Sequence, residues 1–531
     1  MTSANHTQLT PLSFLSRSAE VWRDKAAITY GDETLTYAQF RDEAVRVARA
    51  LQAIGVAKGD RVAYLMPNVP EMLVGHFAVP LLEAVLVAVN TRLSSDEIAY
   101  ILEHSGAKAL VVDERLLSAA TQAVAAVASP VTVIASRTSG PIPSGILRYE
   151  TFDAATGTEF SWTVENELAP ISINYTSGTT GRPKGVVYTH RGAYLNALGE
   201  LLHSQHSPRS VYLWTLPMFH CNGWCTPWAV TAVGGRHVSL AEVRGEVIWQ
   251  QIRSQGVTHL NAAPTVLTAI VTAEEATALP RPVTVTTAGA PPSPTIIAQM
   301  EQLGFRLVHV YGLTETYGPY AVCEQQEEWA SLTAGDQARF KARQGVGMIQ
   351  ADRLRVVDEA MADVPADGVT MGEIVMRGNN VMGGYFEDPE ATAQAFRGGW
   401  FHSGDLGVMH PDGYVELRDR AKDVVISGGE NISTVEVEQA LLSHPDVLEA
   451  AVVGVPDQRW GERPKAFVVL RVGAAPAPEE LITYVRGKIA HYKAPREVEI
   501  VSQLPKTSTG KIQKFQLREA EWHDSALRIQ G

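Results

Sequence analysis

The sequence predicts an α/β protein: a large N-terminal domain of stacked α/β subdomains with a small β-rich subdomain, followed by a small α+β C-terminal domain. Three observations carry this. Short apolar strands alternate with capped amphipathic helices through the first two thirds, the pattern of a largely parallel sheet covered on both faces. Glycine-bearing turns follow several of those strands, where open α/β sheets bind ligands. From Gly372 the pattern changes to short strands and turns, and the last ~110 residues have the size of a compact domain.

The elements follow in order. Thr36-Tyr-Ala-Gln39 reads as a capping box opening a helix with Phe40, Ala44, Val47, Ala48 and Leu51 on one face and Gly55 at its end. Arg61–Met66 and Ala84–Asn90 read as buried strands, Ser94-Ser-Asp-Glu97 as a helix start, and Ala109–Asp113 as a further strand. Residues 137–168 are rich in Pro, Gly, Ser, Thr and acids and read as an exposed connection. Ile171–Tyr175, Val186–Thr189, Val211–Leu216, Val283–Thr287 and Phe305–Val310 are strands, and His190 starts a helix. In the last domain, Ala450–Val455, Lys465–Val472 and Glu497–Val501 are strands and Pro478–His491 is a helix.

Composition narrows the function. The 531 residues are 45% hydrophobic and 19% charged, ordinary for a globular protein with a large core. The net charge of −13 excludes nucleic acid as a bulk electrostatic partner, so anionic substrates must be met by local positive groups. Met1 to Trp22 shows no secretory leader, and the apolar run Phe77–Val89 is interrupted by Pro80 and Glu83 and too short to span a membrane. Cys221, Cys225 and Cys323 form no disulfide framework, and Cys221 and Cys225 lack a second Cys/His pair at zinc-finger spacing. A reducing cytoplasm is the expected compartment. Oligomeric state is left open, a homodimer included.

The densest chemical signal is Tyr175-Thr-Ser-Gly-Thr-Thr-Gly-Arg-Pro-Lys-Gly185. Its glycines free backbone N–H groups to face an anion, its hydroxyls add donors, and Lys184 adds a full charge. A flexible linker is the alternative for such a composition, but strands on both sides argue against one. The spacing departs from the Gly-x-x-x-x-Gly-Lys-Ser/Thr P-loop. Downstream stand Pro217-Met-Phe-His-Cys-Asn-Gly-Trp224, Ala288-Gly-Ala-Pro-Pro292, Tyr311-Gly-Leu-Thr-Glu-Thr316, Trp400-Phe-His-Ser-Gly-Asp405, Asp419-Arg420-Ala-Lys422 and Leu504-Pro-Lys-Thr-Ser-Thr-Gly-Lys511. Taken alone, His220 reads equally as a satisfied core histidine, Asp405 as an Asx-turn, and the lysines of the last loop as solvated.

Together these motifs resemble, in order and over nearly the whole chain, the adenylate-forming (AMP-binding) superfamily of acyl-CoA synthetases, peptide-synthetase adenylation domains and luciferases. The resemblance implies ATP, Mg²⁺ and coenzyme A as co-substrates and cofactor, and a small-molecule carboxylic acid as partner. Its ATP site would comprise Thr176, Ser177, Gly178, Thr179, Thr180, Gly181, Lys184, Gly289, Ala290, Pro291, Tyr311, Gly312, Thr314, Asp405, Arg420 and Lys511. Tyr311 would stack on adenine, Gly289 and Gly312 would let the backbone approach it, and Asp405 would accept the ribose hydroxyls. Glu315 and Thr176 would hold the metal, and Lys511 would be the catalytic lysine, with Lys506 left solvated. His220, Asn222, Trp224 and Gly289 would line the acyl pocket, and Ser427, Gly428 and Gly429 would face the CoA arm. Lys422 would be the hinge between residues 1–421 and a mobile domain, 422–531. Amino-acid-activating relatives carry an Asp where His220 stands, so an amino acid substrate is not expected. The implied activity is acid activation to an acyl-adenylate followed by transfer to CoA, in the short- or medium-chain fatty or aryl acid class. Transfer to an amine or a carrier-protein thiol, or adenylate binding without catalysis, are the alternatives. Ala288-Gly-Ala-Pro-Pro and Ala421 are departures from the family's usual spelling.

Overall fold

The computed structural model describes residues 4–152, 159–176, 182–289, 294–420, 423–427, 430–457, 459–507 and 511–522. Two large sheets dominate it. Among the described residues one has eight strands, ordered Gly384–Tyr385, Gly185–Thr189, Pro170–Tyr175, Val85–Ala88, Arg61–Leu65, Ala107–Asp113, Thr132–Ser136 and Leu147–Arg148. From Pro170–Tyr175 to Leu147–Arg148 the pairing is parallel, whereas Gly185–Thr189 and Gly384–Tyr385 are antiparallel additions at one edge. The nine-strand sheet has a parallel centre of Arg236–Val238, Val211–Leu213, His259–Ala262, Val283–Thr287 and Phe305–Leu313 between antiparallel edges.

Alternation along the strands shows how the layers stack. In Arg61–Leu65, Val62 and Tyr64 enter a core shared with the nine-strand sheet, while Ala63 and Leu65 face an outer core under the helices Ser95–Ser105 and Leu117–Ala125. Helices Tyr37–Ala53, Pro70–Leu81, His190–His203 and Thr226–Ala232 contribute to the shared core. A third core lies under Gly245–Gln255, Pro264–Thr272 and Pro294–Gln302 on the far side of the second sheet. The capping box at Thr36 forms with Gln39, and the helix start at Ser94 is a second one, with Glu97. Two expectations need correction. Residues 137–168 are not all exposed: Leu147–Arg148 joins the sheet, and Tyr149 and Phe152 are buried. The late helix ends at Arg486 rather than His491, its next residue being Gly487.

An antiparallel four-strand sheet, Arg355–Val357, Met371–Met376, Phe401–Met409 and Val415–Arg420, forms the β-rich subdomain. A further sheet of Glu430–Ile432, Val425–Ser427, Gly461–Leu470 and Val447–Asp457, with Glu497–Ile500 alongside, forms the smaller C-terminal domain. No helix among the described residues is long and apolar enough to cross a membrane.

The buried imidazoles give the fold a pH dependence. Burial lowers the pKa of His76, His190, His259 and His309 to about 4 from an ordinary 6.5. They are neutral in the folded chain but take up protons below 6.5 once unfolded. Their stabilisation is therefore complete above pH 6.5 and is lost as the pH falls towards 4. Urea unfolding is expected at a lower midpoint at about pH 5 than at about pH 7.5.

Candidate active site

The glycine-rich segment closes a β-hairpin. Tyr175 pairs with Gly185 across its strands, and the Thr176 N–H donates to the Lys184 carbonyl at 3.0 Å. Ser177, Gly178, Thr179, Thr180 and Gly181 lie outside the described residues, as do Ala290, Pro291, Lys422, Gly428 and Gly429. Gly289 is described and takes φ +97°, the left-handed region that glycine enters freely.

Tyr385 links the loop to the acidic turn. Its strand pairs with Gly185–Thr189, so that Tyr385 lies opposite Val186. The Lys184 ammonium sits 4.8 Å from the Tyr385 ring centroid, and the Tyr385 hydroxyl donates to Glu315 Oε1 at 2.9 Å. The turn is held from both sides, since Met382 N–H donates to the Glu315 carbonyl and the Tyr188 hydroxyl to that of Thr314. Burial raises the Glu315 pKa from its ordinary 4.5, and the Asp405 charge adds to the rise. The Tyr385 hydrogen bond and the Arg420 charge oppose it.

Asp405 and Arg420 face each other across neighbouring strands of the β-rich sheet. Asp405 is 3% exposed, and its Oδ2 accepts a hydrogen bond from the Tyr311 hydroxyl at 2.7 Å. Arg420 Nε lies 3.1 Å from Oδ1 as an ion pair, yet Oδ1 accepts no hydrogen bond. A buried acceptor in that state fits a ligand hydroxyl. The surroundings of Tyr311 and Gly312 differ from expectation. Phe305–Leu313 is one strand running through both, Tyr311 is 8% exposed, and a Cβ on Gly312 would come 1.9 Å from the Gly318 carbonyl oxygen. The neighbouring strand already requires glycine there.

The segment after Val211–Leu213 holds a backbone feature the sequence does not signal. Cys221, Asn222, Gly223, Trp224 and Cys225 take φ of 51°, 48°, 56°, 58° and 61°, a left-handed turn. Such a turn costs about 1–2 kcal/mol per non-glycine residue, so surrounding contacts must hold it. Asn222 Oδ1 accepts from Ser172 Oγ and Asn174 Nδ2, both at 2.7 Å, and its Nδ2 lies 3.1 Å from His76 Nε2. Trp224, 5% exposed, packs so closely on Gly318 that a Cβ there would lie 2.5 Å from its ring. Cys221 Sγ reaches Thr314 Oγ1 at 3.6 Å, joining this segment to the acidic turn.

Burial lowers the half-buried His220 imidazole to about 4, with the Lys511 charge contributing. Lys511 is exposed, and the Thr507 N–H donates to its carbonyl at 2.7 Å. Lys506 is not solvated as expected but half-buried in an ion pair with Glu449 at 2.6 Å. Ser427 pairs with Glu430 at the edge of the C-terminal sheet.

Sequence reasoning missed Tyr385 and Tyr317. Tyr317 stacks on Tyr188 at 3.9 Å, and its hydroxyl accepts the Thr189 N–H at 2.7 Å. Only Gly383-Gly-Tyr385, a glycine pair before an aromatic residue, hinted at the first. Among the described residues no three His, Cys, Asp or Glu side chains converge on a metal position. A single carboxylate such as Glu315 suits Mg²⁺, which keeps waters and takes phosphate oxygens as its further ligands. If Tyr385 positions Glu315 for that role, Tyr385→Phe is expected to raise the Mg²⁺ concentration for half-maximal activity about 10-fold, with KM for the acid unchanged in initial-rate assays.

Known proteins resemble this chain in sequence and fold. The sequence matches the AMP-binding enzyme family over residues 15–386 and the AMP-binding enzyme C-terminal domain over residues 436–511. It is 45% identical to an acetate–CoA ligase of Humulus lupulus, with 99% of this chain and 97% of that protein covered. It is 44% identical to a peroxisomal acetate/butyrate–CoA ligase of Arabidopsis thaliana, over 97% of this chain and 95% of the other. The fold superposes with a TM-score of 0.85 on an anthranilate–CoA ligase solved with anthranoyl-AMP, at 25% identity over 97% of this chain and 98% of that one. The chain belongs to the AMP-binding enzyme family.

Proposed function

We propose that this enzyme is an AMP-forming carboxylic acid–CoA ligase acting on a short aliphatic acid. One observation carries the reading: the Lys184 ammonium and the Glu315 carboxylate meet on Tyr385, and Asp405 is held by Tyr311 and Arg420. Lys511, a movable ammonium, bridges the acid carboxylate and the α-phosphate. The carboxylate oxygen bonds to the α-phosphorus as the bond to the pyrophosphate oxygen breaks. No side-chain nucleophile is needed, so rate enhancement comes from positioning and charge stabilisation. Lys184 and Thr176 meet the leaving phosphates, and Asp405 takes the ribose hydroxyls, which an Oδ1 that accepts no hydrogen bond supports. Glu315, with Thr176 and the phosphates, would hold Mg²⁺, which neutralises the leaving pyrophosphate. The CoA thiol then attacks the acyl carbon, a C–S bond forms, its proton is released, and AMP leaves.

Arg420 ends the last strand of the β-rich subdomain, and Val425 begins the first of the C-terminal sheet. This supports a boundary between residues 421 and 422, with Lys422 the hinge on which Lys511 withdraws and Ser427, Gly428 and Gly429 approach the CoA arm. His220, Trp224 and Gly289 form the acyl pocket, and Asn222 braces the turn beneath them. The pocket segment offers a neutral imidazole and an indole, with no counter-charge for a substrate ammonium. The two curated relatives act on acetate and on acetate or butyrate, which favours the short aliphatic class. Buried free cysteines suit a reducing compartment, a peroxisome as well as the cytoplasm.

The test is a panel of short, medium-chain and aryl acids supplied with ATP and either CoA or an amine. The expected result is acyl-CoA and AMP, fastest with two- to four-carbon acids. Amide formation in preference to the thioester, or ADP as product, overturns the proposal.

A further inference from the structure

Lys514 lies three residues after Lys511, on the helix Lys514–Trp522. Its ammonium donates to Thr434 Oγ1 at 2.6 Å and pairs with Glu438 at 2.7 Å. Thr434 starts the helix Thr434–Leu442 and bonds to the large domain: its N–H and hydroxyl donate to Asp419, at 2.5 Å and 2.8 Å to Oδ2. Asp419 is 1% exposed and precedes Arg420, the partner of Asp405. A continuous polar chain thus runs from the Tyr311–Asp405–Arg420 group through Asp419, Thr434 and Lys514 to the helix that follows the lysine loop. Asp423 adds its charge to Lys514 and pairs with Arg518 one turn further along the same helix. Glu438 also accepts the Val452 N–H at 2.7 Å, which fixes the carboxylate under Lys514.

We infer that Lys514 is a positioning residue for Lys511. It locks the base of the lysine loop to the strand that carries Arg420, so that the Lys511 ammonium is delivered to the acid and α-phosphate with little freedom. A lysine suits this place. Three donors on a compact ammonium can satisfy Thr434 and Glu438 together, where an apolar side chain would leave the Glu438 and Asp419 carboxylates without that counter-charge. The inference rests on the proposed role of Lys511 in the first half-reaction.

The experiment compares full-length wild type with Lys514→Met, Lys514→Arg, Thr434→Val and Lys511→Ala in two assays. One is acid-dependent pyrophosphate exchange, and the other is thioester formation from supplied acyl-adenylate and CoA. Lys514→Met is expected to lower the exchange kcat about 10²-fold, the loss typical of a small misplacement. KM for ATP and the thioester assay should stay at wild-type levels. Lys514→Arg should restore much of the exchange, and Thr434→Val, which keeps both charges, should lower it in the same selective way. Equal loss in both assays overturns the inference, as does wild-type exchange in Lys514→Met. If Lys511→Ala itself retains exchange, the role of Lys511 fails. If Lys511→Ala loses exchange while Lys514→Met and Thr434→Val do not, only this inference fails.

Discussion

Replacement of Lys511 by alanine is expected to lower acid-dependent pyrophosphate exchange by about 10²–10³-fold, the usual effect of removing one group that stabilises transition-state charge. ATP should still bind, because Asp405, Arg420 and the hairpin of Lys184 all lie on the large domain. Lys511 is exposed, so its loss opens no cavity, and the thermal midpoint should stay near wild type. A supplied acyl-adenylate should still be converted to thioester, since the lysine acts only while the carboxylate attacks phosphorus. ATP affinity by calorimetry, exchange and thioester formation together separate this outcome from general damage. Undiminished exchange would remove Lys511 from the chemistry.

Glu315→Gln should be comparably severe, on the order of 10²-fold in the same exchange. Glutamine preserves shape and can still accept from Tyr385, so the acidic turn should stay folded through its contacts to Met382 and Tyr188. What disappears is the carboxylate linked to Lys184 through Tyr385. Raising the Mg²⁺ concentration should recover part of the loss, because a weakened ligand set is compensated by mass action. A variant with wild-type Mg²⁺ dependence would mean that the metal is held elsewhere. Tyr385→Phe then sets the scale for the second contact: it should resemble Glu315→Gln in kind and be smaller.

Local sequence rules worked where local physics decides. Val283–Thr287 is a strand over the residues expected, and the boxes at Thr36 and Ser94 start their helices. These depend on side-chain period and on hydrogen bonds three residues apart. The layering was legible in outline, because a continuous apolar strand such as Val62–Leu65 must be covered on both faces, and its residues do divide between two cores. The left-handed turn at 221–225 was not. Cysteine, asparagine and tryptophan give no local sign of positive φ, and the turn depends on Ser172, Asn174 and His76, distant in sequence. Gly312 was legible as a required glycine, and the crowding of the next strand adds a reason that the sequence does not show. Tyr385 and Lys514 escaped for a shared reason: each acts through a residue 70 or 80 positions away.

The central claim is that loops of a large domain and a lysine of a small one meet on a single ATP, whose α-phosphorus is attacked by a carboxylate. Incorporation of labelled pyrophosphate into ATP, measured without CoA and with and without a short aliphatic acid, tests it most directly. The account predicts exchange that requires the acid, requires Mg²⁺ and is lost in Lys511→Ala. Exchange in the absence of any acid, or acid-dependent turnover that releases phosphate and no pyrophosphate, would contradict it.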